Sequence, residues 1–210
     1  LSLYLGTNEL KKYYQTETKI LKSLSIILFP ALIGLFMVSK QVVVLISGSS
    51  YELAYMPLKI LCLALGFSVL ASFFTMTVLL PNRKEKKILA ATIISSLTNL
   101  ILNFIIIPFW GMNGAALTTV IAEGIVLVIS IFYSKKIFNE LKHGIFKTFI
   151  MILFGCIGIV IICLIVNPLI SNIYLSLFFK IIFSGLYYLL ILIAFREEIV
   201  TEFIQKIIKK

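Results

Sequence analysis

Long apolar stretches alternate with short polar connections along the whole chain. Six stretches stand out, at residues 23–39 or 23–46, 57–80, 88–107, 112–133, 148–166 and 173–195. An α-helix needs about 20 residues to cross a hydrocarbon core about 30 Å thick. Each stretch is close to that length, so the pattern predicts an all-α polytopic membrane protein with six transmembrane helices.

The composition supports this class, since 60% of the residues are hydrophobic and 13% are charged. A soluble domain could not bury six such stretches. The first residues, LSLYLG, resemble the end of an earlier membrane span, and a polar segment follows them. We therefore expect a fragment, namely the C-terminal part of a longer transporter-like chain.

Basic residues occur in every second connection. All but three of the 19 lysines and arginines lie within residues 11–22, 83–87, 135–147 and 196–210. The intervening connections, residues 47–57, 108–114 and 167–174, contain none. The positive-inside rule then places both ends of the chain in the cytoplasm. The net charge of +10 indicates topology, and we expect no nucleic-acid binding because each basic run is short and adjoins a membrane entry.

Prolines and the C-terminal tail give further local predictions. Pro30 and Gly34 predict a kink in the first helix. Pro81 and Pro108 are expected to end the second and third helices. After residue 195, apolar side chains recur on one face of EEIVTEFIQKIIKK, which predicts an amphipathic cytoplasmic helix over 196–210 or, alternatively, a frayed polar tail.

The reactive side chains predict neither a catalytic site nor a metal site. The three cysteines, Cys62, Cys156 and Cys163, lie inside apolar stretches, where cysteine acts as a small hydrophobe. His143 is the only histidine, and the chain contains no aspartate. We expect no cofactor, and a coupling ion, H⁺ or Na⁺, is left open.

Two apolar stretches carry polar residues at helical spacing. Thr92, Ser96, Asn99 and Asn103 form a stripe on the third stretch. Lipid cannot satisfy an asparagine side chain, so the stripe faces either a neighbouring helix or a wet cavity.

In the fourth stretch, Gly114, Thr118 and Ala122 form a ridge of small residues, which predicts close helix packing. Ala115, Thr119 and Glu123 form the adjacent ridge. Glu123 lies midway along the stretch, where a charge is costly. It is either a functional group or a side chain held by a neighbouring helix.

Three lysines, Lys40, Lys59 and Lys180, lie away from the basic connections, near the outer ends of their stretches or slightly inside them. They either reach the outer interface or face a central cavity and attract an anionic substrate. Glu52, the only acidic residue of the outer connections, is a potential partner for each of them.

The run NLILNFIIIPFWGMNGAALTTVIAE resembles the signature region of bacterial polysaccharide flippases, which transport oligosaccharide repeat units. The shared features are two asparagines four apart, an aliphatic run, proline, and Gly-x-x-Gly-Ala-Ala with threonine and glutamate. The run FPALIGLFMVSKQVVVLISGSSYELAYMPLKIL matches as well. The resemblance covers roughly residues 1–135, and the superfamily includes multidrug-extrusion transporters and the lipid II flippase.

The resemblance implies the last six helices of a 14-helix, two-lobe flippase. Residues 1–135 would supply four helices of the C-terminal lobe, residues 136–195 an appended pair, and residues 196–210 the tail. The N-terminal lobe of the same chain would be a partner. The implied substrate is an undecaprenyl-pyrophosphate-linked oligosaccharide, moved across the bacterial cytoplasmic membrane by alternating access for capsule, O-antigen or exopolysaccharide assembly. The substrate and cavity candidates are Glu123, Asn99, Asn103, Thr119, Lys59, Lys40 and Lys180.

Three other interpretations stay open. A multidrug exporter or a lipid II flippase would share this fold, and the N-terminal lobe or the neighbouring genes would distinguish them. A membrane-embedded enzyme is disfavoured, because it would place several histidine, aspartate or arginine residues near the outer surface. A non-transporting scaffold would not need Glu123 and the asparagines to line a cavity.

Overall fold

A computed structural model of the chain describes residues 9–195, without the side chains of residues 136, 139 and 141–144. Every regular element in this range is helical. The long helices are α1 (Leu10–Ser47), α2 (Tyr55–Phe73), α3 (Glu85–Tyr133), α4 (Lys135–Leu169) and α5 (Ile173–Ala194). A 3-10 helix, Ser49–Ala54, precedes α2, and a π-helix, Phe74–Leu79, follows it. The predicted tail helix lies outside the described residues.

Within residues 9–195, five helical segments are long and apolar enough to cross a membrane: Leu10–Ser47, Ser49–Leu79, Glu85–Tyr133, Ile145–Leu169 and Ile173–Ala194. Large apolar side chains also lie on the surface, including Phe104, which is 76% exposed. Such a surface suits lipid as the surrounding solvent. The prediction of an all-helical, multi-pass membrane protein is confirmed. The first apolar stretch takes its longer form, because α1 continues to Ser47.

The third and fourth apolar stretches both lie in α3, which is interrupted at Gly111 (φ 51°, ψ −131°). Only glycine adopts such a backbone conformation without strain. Contacts join residues at increasing distance on either side of Gly111: Asn103 with Thr118, Ser95 with Ala122, and Lys84 with Tyr133. The two halves, residues 85–110 and 112–133, therefore run antiparallel as a hairpin.

The prediction that Pro108 ends the third helix is wrong. The helix passes through Pro108 and is interrupted three residues later, at Gly111. A proline removes one backbone hydrogen bond and kinks a helix, but it does not reverse the chain. The reversal requires the positive φ of the glycine. The prediction for Pro81 is confirmed, since the second helical segment ends at Leu79.

Packing divides the chain into two units, which are described separately. The first unit contains the residues up to Leu21 together with Leu53–Gly144. Its interior includes Gly114, Thr118 and Ala122. A Cβ at Gly114 would lie 2.9 Å from the Ile106 side chain, so the predicted small-residue ridge does permit close packing, here against the other half of α3.

The second unit contains Lys22–Glu52 together with the chain from Ile145 onward. Its core consists of Ile26, Met151, Ile152 and Leu192. Gly155 lies under the ring of Tyr188, where a Cβ would come within 2.5 Å of a ring carbon. The predicted segments 1–135 and 136–195 separate the helices of the C-terminal lobe from the appended pair, whereas the two units are defined by which helices contact one another. The boundary between the predicted segments therefore stays a prediction.

Candidate functional site

The two asparagines of the polar stripe belong to one hydrogen-bonded cluster in the α3 hairpin. Asn103 Nδ2 donates to Asn99 Oδ1 at 2.9 Å. The hydroxyl of Thr118, which is fully buried, donates to Asn103 Oδ1 across the hairpin and also lies 2.8 Å from the carbonyl oxygen of Ala115. Asn103 therefore links the two halves of α3. The stripe satisfies its amide groups at least partly by packing between helices.

The other two residues of the stripe donate their hydrogen bonds within their own helix. Thr92 and Ser96 are exposed, and their hydroxyls donate to carbonyl groups of their own helix, Ile88 at 3.1 Å and Thr92 at 2.8 Å. Thr119 behaves in the same way and donates to Ala115 at 2.9 Å. These hydroxyls are satisfied where they lie, which is the usual state of serine and threonine in an apolar helix.

Glu123 is half-buried on the second half of α3. Among residues 9–195, it forms neither a hydrogen bond nor an ion pair. Its neighbour in sequence, Ala122, accepts a hydrogen bond from Ser95, so Glu123 lies about one helical turn from the level of Asn99. The described residues thus leave this carboxylate available to another group.

The three isolated lysines have different surroundings. Lys59 lies over the ring of Tyr55, with Nζ 5.3 Å from the ring centroid. Lys40 forms an ion pair with Glu52 at 2.7 Å, which confirms Glu52 as a partner for one lysine. Both side chains of that pair are about half exposed, so the pair stabilises the fold little.

Lys180 is buried on α5, with only 3% of its surface exposed. Its Nζ donates to Asn167 Oδ1 of α4 at 2.9 Å. Lys40 and Lys180 line one cavity of about 400 Å³ in the second unit. Lys180 also lines an adjacent apolar cavity of about 390 Å³, together with Pro30, Gly34 and Tyr188.

One buried acidic group escapes the sequence analysis. Glu17 of α1 is fully buried in the first unit. Neither carboxylate oxygen meets hydrogen-bond geometry among residues 9–195, although the hydroxyl groups of Tyr13 and Thr77 lie close enough to stabilise its charge. Nearby, Asn82 Nδ2 donates to the Tyr13 hydroxyl at 3.3 Å, and that hydroxyl lies 3.4 Å from the carbonyl oxygen of Thr77 in the π-helix. Glu17 precedes the apolar part of α1, and burial raises the pKa of its carboxyl group. Its position in a polar, predicted cytoplasmic segment gave no signal of burial.

The structure thus joins the candidates in two groups. Asn99 and Asn103 share one cluster, to which the structure adds Thr118, and Lys40 and Lys180 share one cavity. Within residues 9–195, no three histidine, cysteine, aspartate or glutamate side chains form a metal-binding group. Intramembrane polar residues that face protein or a cavity are typical of transport proteins.

The fold defines the class as a helical, multi-pass membrane protein. No family model matches the sequence, and no curated protein gives a significant match. Among solved structures, the chain matches the lipid II flippase MurJ in its inward closed conformation, with a TM-score of 0.73 and 23% sequence identity. The match covers 94% of this chain and 42% of the MurJ chain, so the chain spans less than half the length of that protein. At this identity the likeness shows a shared fold.

Proposed function

We propose that the chain is part of a flippase that moves undecaprenyl-pyrophosphate-linked oligosaccharide repeat units across the cytoplasmic membrane. The observation that carries this proposal is the shared fold with a lipid-linked-substrate flippase over 94% of the chain. The resemblance of residues 99–123 to polysaccharide flippases favours the repeat-unit branch. In this proposal the chain performs transport and no catalysis.

The same structural match favours a second candidate, a lipid II flippase, because the matched protein carries that description. Both candidates move a polyprenyl-linked glycan by alternating access, in which parts of the protein rock around a central site. Both also require residues from a further lobe of the same protein. The two differ in the glycan and in its biological use.

We also propose that α3 crosses the membrane twice, which gives six crossings in total. Its halves would be about 39 Å and 33 Å long at about 1.5 Å per residue, enough for a core of about 30 Å. The antiparallel hairpin at Gly111 supports this arrangement. A cysteine at Asn113 should react with an impermeant thiol reagent on intact cells, and one at Asn82 should react only after the membrane is opened. Labelling of both from outside would contradict the proposal.

Within this proposal, Glu123 is the principal candidate for contact with substrate or a coupling ion, since it has no partner among the described residues. Asn99, Asn103 and Thr119 would support the adjoining surface. Lys40 and Lys59 would attract the anionic substrate as it nears the opposite side of the membrane.

Deletion of the full-length gene tests the function. Loss of surface glycan in viable cells, with lipid-linked repeat units retained in the inner leaflet, would support repeat-unit transport. Lysis with accumulation of lipid II would instead support the second candidate. Normal surface glycan together with normal growth would contradict both.

A further inference from the structure

Lys180 is a buried cation that lacks an anionic partner among the residues that the structure describes. Only 3% of the surface of this residue is exposed. Its described partner is the neutral side chain of Asn167, whose Oδ1 accepts a hydrogen bond from Lys180 Nζ at 2.9 Å. No ion pair described within residues 9–195 includes Lys180. An ammonium group carries three hydrogen-bond donors, and one donor suffices for Asn167. A charge in this position needs further compensation from a bound group.

A second polar group lies on the same face of α5. Ser176 precedes Lys180 by four residues, and its hydroxyl is buried with no hydrogen-bond partner in the part of the chain that the structure describes. Residues four apart share a helix face. Ser176, Lys180 and Asn167 all line the cavity of about 400 Å³. The cavity therefore contains a cation, an unsatisfied hydroxyl and an amide, which together suit an oxyanion.

The charge balance also favours an anion. Lys40 lines the same cavity, and its ion pair with Glu52 leaves the charge of Lys180 uncompensated. Phosphate oxygens accept hydrogen bonds from lysine, hydroxyl and amide donors together. The volume of this cavity lies within the range of about 300–1,000 Å³ that is typical of small-molecule sites. A single water molecule occupies only about 30 Å³, so the cavity has room for a larger group.

The position of the cavity along α5 indicates which kind of molecule the phosphate group belongs to. Lys180 lies about 10 Å from the start of α5 at about 1.5 Å per residue. Around it on α5, the apolar side chains of Phe178 and Ile181 are 57% and 60% exposed. We propose that this cavity binds the phosphate of an anionic phospholipid, with Lys180 and Ser176 as donors and Asn167 as the group that orients the lysine. This resident lipid is independent of the proposed transport substrate.

Thermal unfolding of the full-length protein in detergent tests the proposal. Micelles containing phosphatidylglycerol should raise the melting temperature, and micelles containing phosphatidylcholine should raise it less. Lys180→Gln, which keeps a donor for Asn167, should weaken apparent phosphatidylglycerol affinity about tenfold or more, the usual effect of losing a charge-assisted hydrogen bond. Ser176→Ala should weaken it about two- to tenfold, and it removes no hydrogen bond within the described chain.

Two matched variants serve as controls. Ser130→Ala removes another buried, unpartnered hydroxyl from the first unit. Lys147→Gln removes a positive charge from the first half of α4, far along the helix from Asn167. Both variants should respond to phosphatidylglycerol like the unmodified protein. Equal stabilisation of Lys180→Gln and the unmodified protein would overturn the site. A full Lys180-dependent shift with inorganic phosphate alone would overturn the assignment to a lipid. If Lys180→Gln fails to fold, an unchanged response in Ser176→Ala overturns the proposal.

Discussion

The hydroxyl of Tyr188 on α5 donates a hydrogen bond of 2.8 Å to the backbone carbonyl oxygen of Ile26 on α1. In a regular helix this carbonyl would accept from residue 30, but residue 30 is proline and has no N–H. Tyr188 therefore supplies the donor that Pro30 removes. An unpaired carbonyl in an apolar core is costly, so this side chain makes the proline compatible with a continuous α1.

Replacement of Tyr188 by phenylalanine should destabilise the second unit by about 1–2 kcal/mol, because it leaves the Ile26 carbonyl unsatisfied. Tyr187→Phe is the matched control. Tyr187 donates to the Phe154 carbonyl at 3.3 Å, but that carbonyl keeps a helical donor in Gly158. Thermal unfolding in detergent measures both. In a Pro30→Ala background the effect of Tyr188→Phe should largely vanish, and a cost equal in both backgrounds would contradict the explanation.

Gly111→Ala should destabilise the α3 hairpin by about 1–3 kcal/mol through backbone strain. No atom lies within 4 Å of the new Cβ, so steric contact plays no part. Gly185→Ala provides the comparison, since that site is equally open and lies inside α5. We expect Gly185→Ala to be neutral or slightly stabilising. Similar melting temperatures for the two variants would show that the backbone conformation at residue 111 accepts an alanine without strain.

Ionisation of Glu17 should destabilise the first unit. Burial raises the pKa of this carboxyl group above its value of 4.5 in the unfolded chain. The folded state then binds the proton more tightly, so the contribution of Glu17 to stability is fully present below pH 4.5 and is lost as the pH rises through the folded-state pKa. Glu17→Gln should remove this dependence and raise the melting temperature at pH 7.

The control for Glu17 is Glu85→Gln, which changes an exposed carboxylate at the start of α3. It should leave the pH profile of thermal unfolding unchanged. A profile that is the same for Glu17→Gln and for the unmodified protein would exclude a raised pKa at Glu17.

Asn103→Leu should destabilise the hairpin by about 0.6–2 kcal/mol for each interhelical hydrogen bond lost. It removes the bond with Thr118 and frees Asn99. Thr92→Val is the control, because its hydroxyl bonds only to its own helix. Folded abundance and transport are measured together. Normal abundance with reduced transport would indicate a cavity role, and normal values of both would show that the cluster is dispensable.

Sequence patterns predicted the parts of this fold that depend on periodicity. The spacing of Gly114, Thr118 and Ala122 identifies a packed face, because small residues four apart allow a neighbouring helix to approach. Contacts between distant residues were not accessible in this way. The hydropathy pattern predicts a connection at Asn167, and nothing in the sequence pairs this residue with Lys180. The sequence predicts a helix end at Pro108, whereas the chain reverses at Gly111. Both residue types interrupt helices, and only the backbone geometry distinguishes them.

Glu123→Gln should preserve folded abundance and reduce flipping by the full-length protein about tenfold or more. Abundance should hold because the described residues give Glu123 no hydrogen bond or ion pair that the change would break. Transport should fall because an unpaired carboxylate within a membrane span is costly. We expect the carboxylate to gain a partner in another step of transport, such as a coupling ion, a cationic side chain or the substrate. About tenfold corresponds to about 1.4 kcal/mol of lost interaction.

Surface glycan measured beside protein abundance distinguishes the outcomes for Glu123. Glu123→Asp keeps the charge on a shorter side chain and should retain more transport than Glu123→Gln. Normal surface glycan in Glu123→Gln would exclude a charge-dependent role. Loss of folded protein would instead assign Glu123 to packing against a residue outside the described range. The charge itself acts in transport only if Glu123→Gln is abundant and inactive while Glu123→Asp is at least partly active.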